Sequence, residues 1–151
     1  MKIIITESQY KKLMEEEEQE VLNIPSLKYF DNDWDFLQEF LESEGNPPYS
    51  IGGNLNLVGL KVESLGNLVS VEHDLYAYDT PLKSLGSLTS VGGLLDLSNT
   101  QIESLGNLSF VGGSLVLNGI PLFGEDASPR SLERQSDIIR RKVYVKGNIL
   151  Y

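Results

Sequence analysis

The chain has no cysteine, one histidine and one tryptophan among its 151 residues. Without cysteine there is no disulfide scaffold, no thiolate metal site and no thiol nucleophile. One imidazole, His73, cannot by itself supply the clustered nitrogen ligands of a zinc centre. Long apolar runs are also missing. The opening MKIIITESQYKK holds three consecutive isoleucines before polarity returns. That is too short for the apolar core of a signal peptide or for a membrane span, so a soluble cytoplasmic protein is the expectation. Cations are scarce as well. The formal charge is -10, carried as -8 over residues 1–50, -4 over 51–119 and +2 over 120–151. An acidic body repels phosphate backbones, so direct nucleic-acid binding is not expected.

What the chain does have is repetition. ESLGNL occupies Glu63–Leu68 and again Glu103–Leu108, with KSLGSL at Lys83–Leu88 between them. Aligned at a period of twenty, residues 51–130 share the frame V-G-G-x-L-x-L-x-x-T-x-I-x-S-L-G-N-L-x-S. The pairs Leu55/Leu57, Leu75/Ala77, Leu95/Leu97 and Leu115/Leu117 alternate as a half-buried strand does, with the apolar positions inward. A second cluster, Val62/Leu65/Leu68 and its successors, has a spacing of three that suits a loop or 3₁₀ turn on the opposite wall. One unit cannot bury its own apolar side, but stacked copies can. The expected fold is therefore an α/β solenoid of about five 20-residue coils. Its strands form a parallel sheet, and Leu65, Leu85 and Leu105 fall in one row. Glycine pairs at 52–53, 92–93 and 112–113 read as tight turns needing positive φ.

On these residues the frame resembles the leucine-rich repeat, L-x-x-L-x-L-x-x-N-x-L, over roughly residues 50–122. Leu95, Leu97, Thr100 and Ile102 take four of its stations. Threonine stands for the usual asparagine at 80 and 100, and glycine for the first leucine at 92 and 112. Twenty residues per coil is the short limit of that family, so a receptor-L-like or short β-helical variant stays open. The resemblance implies a fold and a binding surface rather than a reaction.

The ends read as caps, which a solenoid needs to close its terminal coils. Residues 1–50 form an N-terminal helical cap segment, 51–122 the repeats, and 123–151 a helix insertion with a final capping strand, all in one folded domain. In the first, a short strand precedes a Thr6/Gln9 capping box and a helix with the stripe Tyr10, Leu13 and Met14, which fades into EEEEQE. Asp31-Asn32-Asp33 offers N-caps for a helix presenting Trp34, Leu37 and Leu41, stopped at Gly45 and Pro47-Pro48. Ser128-Pro129 opens a second helix that ends on Arg140-Arg141-Lys142. The closing V-K-G-N-I-L-Y matches the repeat frame and sets Ile149 and Tyr151 inward. Ile149 lies 34 residues after Leu115, so this coil carries a 14-residue insertion, the helix. MKIIITESQYKKLM also resembles the opening segments of small proteins encoded by tailed bacteriophages, which implies a viral protein acting in a host cytoplasm or packaged in a virion.

No catalytic constellation emerges. Ser64, Ser84 and Ser104 recur with the repeat and lack a histidine partner. Asp74 and Asp96 fall on adjacent coils but on an open sheet, without a cleft to raise a pKa. The expectation is a non-enzymatic protein-binding module with no cofactor and no metal. Its partner would be a host or phage protein that meets the outward strand residues Asn56, Tyr76, Tyr78, Leu94, Asp96, Val116 and Asn118. Tyr76 and Tyr78 are the candidate anchors, since tyrosine gives large contact area with few rotors. Tyrosine and valine also favour strands for packing reasons alone. Three alternatives stand beside this reading. They are a structural virion or assembly component built by end-to-end stacking, an acidic mimic of nucleic acid, and carbohydrate recognition on the aromatic face.

Overall fold

We describe the fold from a computed structural model, which defines residues 4–17, 20–123 and 129–151. The repeat folds into stacked coils that form two parallel sheets rather than one. The six-stranded sheet has the order β1 (Leu22–Ile24), β2 (Tyr49–Ile51), β4 (Leu68–Val71), β6 (Ser90–Val91), β8 (Phe110–Val111) and β10 (Tyr144–Val145). The five-stranded sheet has β3 (Leu55–Asn56), β5 (Leu75–Tyr76), β7 (Leu95–Asp96), β9 (Leu115–Val116) and β11 (Ile149–Leu150) in sequence order. From β2 and β3 onward each coil gives one short strand to each sheet. The register advances by twenty residues, as in Leu55↔Leu75, Leu75↔Leu95 and Leu95↔Leu115. The last step, Leu115↔Ile149, spans the inserted helix as the sequence implies.

The third wall holds the repeated hexapeptide, and its geometry explains why the chain writes it three times. In each copy the serine hydroxyl oxygen accepts the backbone N–H of the glycine two residues on, at 3.1, 2.9 and 3.0 Å for Ser64, Ser84 and Ser104. Each of those glycines has φ between 54° and 58°, a left-handed conformation that side chains resist. The turn closes when Leu68, Leu88 and Leu108 donate to the carbonyls of Leu65, Leu85 and Leu105. The wall is turn, not strand, with a single bridge between Ser64 and Ser84. Leu65 and Leu85 are buried in the core, and Leu105, where the next copy is missing, is half-buried. Full burial of one such leucine stabilises by about 1.5–3 kcal/mol. The serines are therefore turn-formers.

Several expectations need correction. Leu68, whose spacing suits a loop, is the first residue of strand β4 in the six-stranded sheet. The glycine pairs are not in the left-handed region. At Gly92 and Gly112 stacked backbones touch: a Cβ on Gly92 would collide with the Glu72 carbonyl oxygen, and one on Gly112 with that of Gly92. Thr80 and Thr100, at the asparagine station, bond within their own coils. Each is buried and donates its hydroxyl within its own coil, to the carbonyls of Ala77 and Leu97 at 2.7 Å. The segment assigned to helical capping contributes β1 and β2 as well. Tyr151, expected inward, is 39% exposed.

The caps follow the sequence more closely. Thr6 and Gln9 form the reciprocal capping box at 2.8 and 3.2 Å ahead of α1 (Glu7–Glu17). Residues 4–6 are not strand, and residues 1–3 lie outside the described residues, as do Glu18 and Gln19 of the acidic run. Tyr10 is 55% exposed, while the side chains of Leu13 and Met14 are outside the description. Asp33 caps α2 (Trp34–Ser43) by accepting from Asp35 and Phe36, and Trp34, Leu37 and Leu41 are buried. At the other end, α3 (Pro129–Lys142) buries Ile139 and part of Leu132, while Ile138 is 46% exposed. Its expected cap, Ser128, lies outside the described residues.

Candidate functional site

The outer face of the five-stranded sheet is built rung by rung. Register places Asn56, Tyr76, Asp96, Val116 and Leu150 in one column, the first four each between two buried residues of its coil. Asn56 and Leu150 are exposed at the two margins, and Tyr76, Asp96 and Val116 are half-buried by their neighbours. Of the residues expected to bind, these form the continuous centre. The other three flank it.

Leu94 lies in the column that precedes the strands, with Asn54, Asp74, Ser114 and Asn148. The polar members of that column reach to the next rung. Asn54 accepts the amide of Asp74 at 3.0 Å, Asp74 accepts that of Leu94 at 2.7 Å, and Ser114 accepts that of Asn148 at 3.2 Å. Leu94 has no such oxygen and interrupts the ladder. Tyr78 and Asn118 follow the strands, in turns with Val58 and Ser98. The strands are thus two residues long, and Tyr78 is less constrained by pairing than Tyr76.

Tyr76 is the most organised side chain on the face. Its hydroxyl donates to Asp74 Oδ2 at 3.0 Å, and that hydrogen bond, reinforced by the carboxylate charge, raises its pKa above 10.0. The tyrosine stays protonated and fixed in direction. Asp74 is consumed by the same arrangement, one oxygen on Tyr76 and the other on the Leu94 amide. Asp96 closes its own turn by accepting the amide and hydroxyl of Ser98 at 3.0 and 2.6 Å. Both oxygens of Asp74 are thus engaged, whereas both bonds to Asp96 fall on Oδ1. At the front margin, Asn54, Asn56 and Val58 border a hollow of about 390 Å³ shared with Ser26, Leu27, Lys28, Asn32 and Leu60. His73 is exposed, and among the described residues no three His, Asp or Glu side chains gather as a metal cluster would need.

A second aromatic feature escaped the sequence reading. On the outer face of the six-stranded sheet, register aligns Ser70, Ser90, Phe110 and Tyr144. The last two stack with centroids 5.9 Å apart and planes 13° from parallel. They are 37% and 65% exposed. The signal was present, since phenylalanine and tyrosine replace the frame's serine at these stations, but it requires the second sheet to be known.

Among the described residues no helix is long and apolar enough to cross a membrane. No protein-family model, curated protein or solved structure matches the chain.

Proposed function

We propose that the chain is a non-enzymatic protein-binding module, a leucine-rich-repeat-like solenoid that meets its partner with the outer face of the five-stranded sheet. The observation that carries this reading is the in-register column Asn56–Tyr76–Asp96–Val116, with Tyr76 held by Asp74. An aromatic side chain already fixed in one direction loses little entropy on binding, which is what an anchor requires. The column also joins an amide, a carboxylate and an apolar residue on a broad open surface, as solenoid faces that bind proteins do. Asp74 and Asp96 make the face acidic, which supports a protein partner over nucleic acid. The phage-like opening segment supports an infected bacterial cell as the setting, with a host or phage protein as partner.

The test is capture from bacterial host lysate with the intact chain and with Tyr76→Ala/Tyr78→Ala, both checked for folding by circular dichroism. The reading expects captured proteins to be lost with the double variant. Equal capture by both rejects this face.

A further inference from the structure

The rungs of the six-stranded sheet pass hydrogen bonds along two carbonyl columns. In the first, Val71 accepts the Gly92 amide, Val91 that of Gly112 and Val111 that of Lys146, each at 2.9 Å. In the second, His73 accepts from Gly93 at 3.0 Å, Gly93 from Gly113 at 2.8 Å and Gly113 from Gly147 at 2.9 Å. The next members of the two columns are the carbonyls of Val145 and Gly147, on the terminal rung. β10 is the edge strand of this sheet, and Arg140 donates Nη1 to Val145 at 3.2 Å and Nη2 to Gly147 at 3.4 Å. One planar guanidinium, with its fixed fork of donors, occupies both positions that a following coil's amides would take.

The front end shows the counterpart. Gly52 donates to Ile24 at 2.8 Å and Ile24 pairs with Ile51, so the frame's V-G-G station in the first rung reads Ile24-Pro25-Ser26. The amide that would reach back to a preceding coil belongs to Pro25, and proline has none. In a head-to-tail stack, Val145 of one copy would face Pro25 of the next.

We propose that the two ends of the six-stranded sheet are a matched docking edge for a second copy of this chain, held shut by Arg140 behind and Pro25 in front. The repeat's own backbone is the occupant these edges fit, because the acceptor columns continue in register to the last rung. Open sheet edges template such pairing unless something covers them. The device keeps a stackable repeat monomeric, and it argues against an assembly role by end-to-end stacking.

The test uses the full chain, Arg140→Ala, Pro25→Gly and the double variant, followed by sedimentation and light scattering over a wide concentration range. The unaltered chain is expected at its monomer mass of 16.8 kDa. The double variant is expected to at least double its weight-average mass as concentration rises, with each single variant associating less. A folded double variant that stays monomeric throughout overturns the proposal, as does an unaltered chain that already assembles. Should Arg140→Ala fail to fold, Arg140→Met in the Pro25→Gly background replaces it. A thioether has no N–H to donate to either carbonyl, so this chain too must associate, and a folded monomer again overturns the proposal.

Discussion

Gly92→Ala is the substitution that most sharply separates the stacking account from an ordinary turn. Gly92 is not left-handed, so backbone preference alone predicts that alanine stabilises by about 0.4–1 kcal/mol through the unfolded chain. The structure predicts the opposite sign. The new Cβ would overlap the Glu72 carbonyl oxygen and lie 2.8 Å from its carbon, both backbone atoms of the neighbouring coil. Relieving that contact means moving one rung off the next, at an overpacking cost of about 1–3 kcal/mol. The bond from the Gly92 amide to Val71 weakens with it, for about another 0.5–1.5 kcal/mol. The net is a loss of about 0.5–4 kcal/mol, or roughly 1–16 °C in melting temperature for a domain of this length. Gly53 supplies the control from the same motif. A Cβ there meets only the Pro25 carbonyl oxygen at 3.5 Å, an ordinary contact. Gly53→Ala should leave the melting temperature unchanged or slightly raised. Thermal unfolding followed by circular dichroism reads both. Equal effects of the two substitutions, in either direction, would refute the claim that stacked backbone explains Gly92.

Two further outcomes follow from burial. Removing residues 145–151 strips β11 and half of β10 from the stack and uncovers Val111, Leu115 and Leu117, all now fully buried. The truncated chain should aggregate or melt well below the intact one, and an unchanged melting temperature would contradict this. Tyr49 is 1% exposed, and burial pushes its pKa up to about 12 from 10.0, with the Gln38 hydrogen bond opposing in part. Its proton is held more tightly in the folded chain, so the native state keeps its advantage below pH 10 and loses about 2–3 kcal/mol as pH rises from 10 to 12. Tyr49→Phe should flatten that alkaline decline in denaturant titrations, and an equal decline in both chains would show that Tyr49 does not cause it.

How much of this was legible in the sequence depended on whether a signal lay within one coil or between two. The row of Leu65, Leu85 and Leu105, the Asp33 cap and the 34-residue step to Ile149 are each written in a local pattern at a countable spacing. The second sheet is not. Its strands are two to four residues long, and Ser90-Val91 or Phe110-Val111 carries too little alternation to register as strand. Leu22–Ile24 was hidden for the same reason, standing outside the frame's L-x-L. The glycine pairs stand out in the sequence but their cause does not, because collision with a carbonyl twenty residues away is visible only once the coils are stacked. On the candidate face, alternation alone marks Tyr76, whereas the role of Asp74 as its hydrogen-bond acceptor is visible only in the structure. Arg140 looked like a helix-dipole residue. Its contact with the terminal rung depends on the rung existing.

The central claim is the twenty-residue register, since both the binding face and the closed ends depend on it. A chain without cysteine lets introduced pairs report that register without background. Ser70 and Ser90 are direct neighbours in the parallel pair of β4 and β6, and Phe110 is one rung beyond. Adjacent strands lie about 4.8 Å apart, within disulfide reach, and strands two rungs apart do not. Under mild oxidation, Ser70→Cys/Ser90→Cys should close a bond in the monomer while Ser70→Cys/Phe110→Cys stays reduced. Bonding of the second pair, or failure of the first in a folded chain, would contradict the stack.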